Sequence, residues 1–184
     1  MILQTNRLRL RPWTPSDFND FIEMNRHPKV MRFFPSCLTP LQSIESARRL
    51  SEELQLQGWG MWVVEKRFSK QFVGILGLQQ RSAEDGILVK PFKEIAWRLH
   101  ARYWGQGFAS EAAEAVLEYA FEHLNIDAVY SLTALVNLPS QRVMQKIGML
   151  DTQANFQHPR LDVNSTLSWH CLYKITQQQW KATR

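Results

Sequence analysis

Apolar residues follow two different spacings along the chain, and the spacing separates predicted strands from predicted helices. Residues 3–11 alternate, with leucines on one side and arginines on the other, which is typical of a half-buried strand. Apolar residues in 18–24 and 41–57 recur every three or four positions and predict two helices. Gly58 follows the second helix and is expected to end it.

The rest of the chain continues with further predicted strands and helices, which gives the order β-α-α-β-β-β-α-β-α-β-β. Residues 72–78 (FVGILGL) are apolar on both faces, as in a central strand, and their glycines predict a bulge or a close backbone approach. The clearest helix covers 109–124, where apolar residues form one stripe. Further strands are predicted at 61–65, 94–99, 128–135, 150–156 and 165–175, with a short helix opened by Pro139 and closed by Gly148. This order predicts one mixed α/β domain over residues 1–184, with helices on the faces of a mixed sheet.

Composition and charge exclude several classes of protein. Apolar residues make up 45% of the 184 and charged residues 21%, which is ordinary globular usage. No apolar run approaches the roughly 20 residues that span a bilayer, and no secretion leader is recognisable, so a cytoplasmic protein without membrane association is expected. The net charge of +5 suits a polyanionic partner, but the basic residues form no run of five, so direct nucleic-acid binding is not expected. The two cysteines are expected to be reduced.

The segment that carries chemistry is the glycine-containing turn before the helix at 109–124. Gly105 and Gly107 let the backbone approach a ligand closely, and the N–H groups at a helix N-terminus can bind phosphate oxygens. An ordinary tight turn explains the same residues equally well. The chain has no P-loop motif and no Rossmann fingerprint, so those two nucleotide-binding folds are excluded.

Three segments in the right order resemble one known family. Residues 94–99 (EIAWRL) and 103–112 (YWGQGFASEA) resemble the acetyl-CoA motif of the GNAT superfamily of N-acetyltransferases. Residues 137–149 (NLPSQRVMQKIGM) and 5–11 (TNRLRLR) resemble the branch that contains the ribosomal-protein N-terminal acetyltransferases. The resemblance therefore runs from the start of the chain into its tail.

The resemblance implies a fold and an activity. A GNAT-type fold has a central, mostly antiparallel sheet, here of about seven strands flanked by about four helices. The implied reaction is transfer of an acetyl group from acetyl-CoA to a primary amine, on a protein N-terminus or a small molecule, by direct attack and without a metal. A non-catalytic acyl-CoA-binding module is the alternative, and the resemblance leaves monomer and homodimer both open.

The resemblance also implies a set of cofactor-binding residues. The superfamily pattern Gln/Arg-x-x-Gly-x-Gly/Ala fits in two registers, starting at Arg102 or at Trp104. The second keeps the spacing back to Leu99, and with it phosphate binding depends on backbone donors, with Arg102 as a possible extra charge. The residues expected to bind acetyl-CoA are Trp97, Leu99, Trp104, Gly105, Gln106, Gly107, Phe108, Ala109, Asn137 and Ser140.

Catalytic roles follow less directly from the same resemblance. Many relatives protonate the leaving thiolate with a tyrosine at the position of Met144, so Ser140 is the substitute here, unless it only caps its helix. Glu94 is the first candidate for the general base. The alternative is that Glu94 only forms a structural ion pair with an arginine. His158 and His170 are the other candidates for the base.

Aromatic residues near the cofactor strands are candidates for the acceptor groove. Phe33, Trp59 and Trp62 are predicted to line an apolar cleft for the acceptor, together with Phe34 and Phe92. The alternative is that these side chains simply belong to the core.

Overall fold

The computed structural model describes residues 1–183, which form nine strands and six α-helices. The strands are β1 (Leu3–Gln4), β2 (Leu8–Arg11), β3 (Met61–Lys66), β4 (Phe72–Arg81), β5 (Phe92–Leu99), β6 (Ala128–Ala134), β7 (Leu150–Asp151), β8 (Phe156–Gln157) and β9 (Trp169–Thr176). The helices are α1 (Asp17–Arg26), α2 (Pro28–Met31), α3 (Pro40–Gln57), α4 (Phe108–Glu122), α5 (Leu138–Lys146) and α6 (Gln177–Ala182). None of the helices in this range is long and apolar enough to cross a membrane.

All nine strands belong to one sheet in the order β1-β2-β3-β4-β5-β6-β9-β7, and β8 also pairs with β9. Every strand pair is antiparallel except β5 and β6, which are parallel. The predicted mixed fold with a mostly antiparallel sheet is therefore confirmed. The strand count exceeds about seven because the predicted strand at 3–11 is broken by a turn, in which the Thr5 N–H donates to the Leu8 carbonyl at 3.0 Å. The predicted strand at 150–156 is likewise divided into β7 and β8.

Helices cover both faces of the sheet. Helices α1 and α3 pack together on one face, where Arg98 of β5 reaches Asn25 of α1. Helix α4 packs on the opposite face, where Tyr119 meets the ring of Trp62 in β3 at a centroid distance of 5.7 Å. Because side chains alternate between faces along a strand, even-numbered residues of β5 face α1 and odd-numbered ones face α4.

Two predicted roles for glycine are confirmed. Gly58 ends α3 in the left-handed conformation (φ 74°), and its N–H donates to the Leu54 carbonyl at 3.0 Å. In β4, a Cβ on Gly77 would lie 1.9 Å from the carbonyl oxygen of Gly60, so only glycine allows β3 and β4 to approach this closely. A register shift between Val64 and Glu65 marks a bulge in the same pair of strands.

Candidate active site

The parallel strands β5 and β6 separate after a short stretch of pairing. Only two pairs are formed, Lys93 with Val129 and Glu94 with Tyr130, although both strands continue for several residues. At the point of separation the Ser131 hydroxyl donates to the Ile95 carbonyl at 2.9 Å, and both residues are buried. The side chain of Ser131 therefore takes the place of the next backbone partner of Ile95 at the point where the pairing ends.

The backbone of β5 presents polar groups to this gap. Peptide groups of alternate residues in a strand point toward the same neighbour. Because the Ile95 carbonyl points toward β6, the peptide groups of Trp97 and Leu99 do so as well, and β6 does not pair with them. The Trp104 indole N–H occupies one acceptor by donating to the Leu99 carbonyl at 2.8 Å.

The loop after β5 provides a concentrated set of donors. Gly105 and Gly107 both have left-handed backbones (φ 74° and 78°), and Gly107 is the N-cap of α4. Within the described chain, no backbone N–H of residues 105–110 donates to another residue, and the first bonded N–H is that of Glu111, to the Gly107 carbonyl. Six N–H groups thus lie free at the positive end of a 15-residue helix, which suits an anion.

An N-terminal anchor holds this loop in place. Glu111 accepts hydrogen bonds from the Thr5 hydroxyl and from the N–H and Nε of Arg7, the last at 2.6 Å. Arg7 also donates through Nη1 to the Gln106 carbonyl at 2.9 Å and stacks on Phe108. Burial opposes ionisation of Glu111, but the hydrogen bonds from Thr5 and Arg7 outweigh it and lower its pKa. The sequence places Arg7 only on the polar side of a strand, and nothing local indicates this long-range contact.

The predicted pair Asn137 and Ser140 lies at the N-terminus of α5. Asn137 is the N-cap, and its Oδ1 accepts the Ser140 N–H at 3.3 Å while its Nδ2 donates to Thr133 at 2.8 Å. In residues 1–183 the Ser140 hydroxyl makes no hydrogen bond of its own, so Asn137 does the capping and the hydroxyl remains free to donate. Met144, at the position of the tyrosine in many relatives, is fully buried in the core.

Glu94 lies on the α1 face of β5, beside the separation of the strands. Its side chain is 5% exposed and forms an ion pair with Arg81 of β4. Burial raises the pKa of Glu94, and the positive charge of Arg81 opposes that effect only in part. A carboxylate with a raised pKa can exchange a proton nearer to neutral pH than an exposed one.

The two histidines named as alternative bases are brought together. His170 on β9 and His158 after β8 have ring centroids 4.9 Å apart. Burial lowers the pKa of both, and the neighbouring His170 lowers that of His158 further. The segment after β8 reaches the connection between β4 and β5, where Arg160 pairs with Asp85. Among the described residues, no group of three or more His, Cys, Asp or Glu side chains could hold a metal ion.

The aromatic residues predicted for an acceptor groove are separated. Trp62 is fully buried and packs against Tyr119 on the α4 face, so it is a core residue, against the prediction that it lines a groove. Trp59 is partly buried beneath Lys93, whose Nζ lies 3.9 Å from the ring centre. Phe33 stacks with Arg32, next to Phe34 on the α1 side of the sheet.

Comparison with known proteins identifies the family. Residues 7–150 match the family described as acetyltransferase (GNAT) domain. Uncharacterized N-acetyltransferase YnaD of Bacillus subtilis (strain 168) is 46% identical over 149 residues, which cover 81% of this chain and 82% of that protein. The chain belongs to the GNAT acetyltransferase family. As a GNAT acetyltransferase, it transfers an acetyl group from acetyl-CoA to an amine, which confirms the predicted activity and enzyme class.

Solved structures share the GNAT fold. An acetyltransferase (GNAT family) from Bacillus anthracis superposes with a TM-score of 0.81 at 23% identity, over 97% of this chain and 99% of that chain. RimL, a ribosomal α-N-protein acetyltransferase in complex with coenzyme A, superposes with a TM-score of 0.76 at 14% identity, over 96% and 98% of the two chains. At these identities the likeness is one of fold.

Proposed function

We propose that acetyl-CoA binds across the gap between β5 and β6, with its phosphates on the loop at residues 105–110. The observation that carries this proposal is the conjunction of two features: unpaired peptide groups along the gap and six free N–H groups at its outer end. The amides of the pantetheine arm can pair with the peptide groups along the gap, and the pyrophosphate can accept hydrogen bonds from the six N–H groups. RimL, which shares the fold, was solved with coenzyme A.

The remaining predicted contacts are assigned by their position. Trp97 and Leu99 offer peptide groups to the pantetheine arm, and Trp104 fixes the Leu99 carbonyl. Ala109 lies in the first turn of α4, where a small side chain leaves the phosphates accessible. Asn137 and Ser140 lie at the end of β6, across the gap from these groups. The chain therefore holds donors on both sides of the proposed thioester.

The proposed reaction is direct attack of a neutral amine on the thioester. The amine nitrogen forms a bond to the acetyl carbon, the carbon–sulfur bond breaks, and coenzyme A leaves as the thiolate. Glu94 takes the proton that the amine loses, directly or through a water molecule, and the free hydroxyl of Ser140 donates to the sulfur. Much of the rate enhancement comes from holding the two substrates together.

The roles of Glu94 and Ser140 are tested by kinetics on two variants. Glu94→Gln is expected to lower kcat by about 10²- to 10⁴-fold and to abolish the acid limb of the pH profile. Because the pKa of Glu94 is raised, that limb in the native enzyme lies above the ordinary glutamate value of about 4.3. Ser140→Ala is expected to lower kcat without changing the dissociation constant of acetyl-CoA by more than about threefold, since its hydroxyl binds only the departing sulfur.

Glu65→Gln is the matched control, because Glu65 is also a buried glutamate paired with an arginine, Arg11, but lies away from the gap. This control should lose stability and keep the acid limb. An acid limb that persists in Glu94→Gln would remove Glu94 from the role of base and leave His158 and His170 as the candidates.

The domain count, the location in the cell, the oligomeric state and the acceptor also belong to this proposal. A single domain, a cytoplasmic location and a monomer or homodimer are inferred from composition and from the resemblance. A non-catalytic acyl-CoA-binding module is disfavoured, because the family is one of enzymes and the Ser140 hydroxyl is free to act. A protein N-terminus and a small amine are both compatible acceptors at this level.

A further inference from the structure

Arg98 differs from the other enclosed arginines of the sheet in lacking a carboxylate partner. Arg11 is paired with both Asp17 and Glu65, and Arg81 is paired with Glu94. Arg98 makes no ion pair with any residue in the range 1–183. Its Nε is enclosed by protein and has no hydrogen-bond acceptor.

Only neutral groups hold this guanidinium. Its Nη1 donates to the Asn25 side-chain oxygen at 2.7 Å, and its Cζ lies 4.1 Å from the centre of the Phe34 ring. Asn25 is itself fully buried and donates to the Ser43 hydroxyl at 3.2 Å. These contacts fix the orientation of Arg98 and leave the edge formed by Nε and Nη2 without a partner.

An unpaired enclosed cation is unfavourable unless a ligand supplies the missing charge. Burial lowers the pKa of Arg98 to about 10, so the group remains a cation at neutral pH. Removing a charge from water without a counter-ion is strongly unfavourable. Among the described residues Nη2 has no partner and, unlike Nε, it is not enclosed, so it can donate a charge-assisted hydrogen bond to a carboxylate.

The position of Arg98 indicates that its missing anionic partner belongs to the acceptor and not to acetyl-CoA. Arg98 lies on the same face of β5 as Glu94, two strand repeats and roughly 13 Å further along, with only Ala96 between them. The phosphates of acetyl-CoA already have the N–H groups of residues 105–110, beyond the end of the strand. An amine placed near Glu94 can therefore extend toward Arg98 along the α1 face of β5.

We propose that Arg98 binds a carboxylate of the acceptor, so that the preferred acceptors are free amino acids and not amines without an acidic group. This inference rests on the proposed function, because it takes Glu94 to mark the place where the amine reacts. Polyamines are expected to be poor acceptors, since a second positive charge would lie against Arg98.

The test compares acceptors that differ only in the carboxylate: phenylalanine with phenethylamine, lysine with cadaverine, and methionine with methionine amide. The native enzyme is expected to favour the amino acid in kcat/KM by about 10- to 100-fold, the usual effect of a charge-assisted hydrogen-bonded pair. Arg98→Met should reduce this preference to near unity, mainly through KM of the amino acid, and Arg98→Lys should keep part of it.

Arg49→Met, which breaks an exposed ion pair with Glu53 on α3, is the control for loss of one positive charge. Calorimetry with acetyl-CoA separates the two proposals, because Arg98→Met should bind acetyl-CoA as the native protein does. The comparison of acceptors on the native enzyme does not depend on the folding of any variant. Equal kcat/KM values for both members of every pair would overturn this inference and leave the acetyltransferase proposal standing. A protein that binds acetyl-CoA yet acetylates no member of the panel would also overturn it, and so would an Arg98→Met variant weakened only toward acetyl-CoA.

Discussion

Substitution of Gly107 tests the phosphate-binding loop most sharply. Gly107 is the N-cap of α4 with φ 78°, and an added Cβ would lie 3.3 Å from Nη2 of Arg7, the end of a flexible side chain. Gly107→Glu adds strain and a carboxylate, whereas Gly107→Gln adds the same strain and nearly the same volume without the charge. Gly58→Gln is the matched control, because Gly58 has φ 74°, has open space around its Cβ position and lies far along the chain at the end of α3.

The expected magnitudes separate strain from charge. A non-glycine residue with a left-handed backbone costs about 1–2 kcal/mol, so Gly107→Gln and Gly58→Gln should lose similar stability. A carboxylate about 6 Å from a phosphate, at an effective dielectric constant of about 20–40, opposes binding by about 1.4–2.8 kcal/mol. Gly107→Glu should therefore bind acetyl-CoA about 10- to 100-fold more weakly than Gly107→Gln.

The assay is calorimetric titration with acetyl-CoA at two salt concentrations, with thermal unfolding of each variant as the control for folding. The difference between the Glu and Gln variants should shrink at high salt, because added ions screen the partly exposed charges. Gly58→Gln should bind acetyl-CoA normally. Equal dissociation constants for Gly107→Glu and Gly107→Gln, both folded, would refute the placement of the phosphates on this loop.

Two further predictions concern stability. Gly77→Ala places a methyl group 1.9 Å from the Gly60 carbonyl oxygen and should cost about 3 kcal/mol or more in urea denaturation. The comparison is Gly58→Ala, which has open space around its Cβ and carries only the backbone strain of φ 74°. A loss below about 1 kcal/mol in Gly77→Ala would contradict the close approach of β3 and β4. Glu111→Gln should lower the free energy of unfolding by about 1 kcal/mol after allowance for screening. Because the pKa of Glu111 is lowered in the folded protein, its contribution to stability is present above about pH 4.3 and is lost as the pH falls through the folded pKa. A difference in stability between native protein and variant that does not shrink between pH 6 and pH 3 would count against the anchor.

The longer elements could be predicted because their patterns are local. Helix α3 begins at Pro40 against a predicted start at 41, and β6 covers 128–134 against a predicted 128–135. The turn that separates β1 from β2 could not, since Glu111 holds Thr5 and Arg7 from more than 100 residues away. Position beside the cofactor strands also cannot tell whether an aromatic side chain lines a groove or fills the core, and the fully buried Trp62 belongs to the core.

Some residues of the candidate site could also be predicted from the sequence, and others could not. The glycine turn and the block at Asn137 carry spacings that sequence reasoning can find. Ser131 and Arg98 carry no such signal, because the role of Ser131 depends on where β5 and β6 part, and that of Arg98 on the carboxylates that the fold keeps away from it. Tertiary contacts decide both.

The most direct measurement of the central claim is the stoichiometry of transfer. The protein is incubated with acetyl-CoA and an amine acceptor, and free coenzyme A and N-acetylated product are quantified together by mass spectrometry. Equal amounts of the two products, formed by the native enzyme and strongly reduced in Glu94→Gln, are predicted. Binding of acetyl-CoA with no acetylated amine, across both the amino-acid panel and peptides with free N-termini, would contradict the assignment of this site as the centre of an N-acetyltransferase.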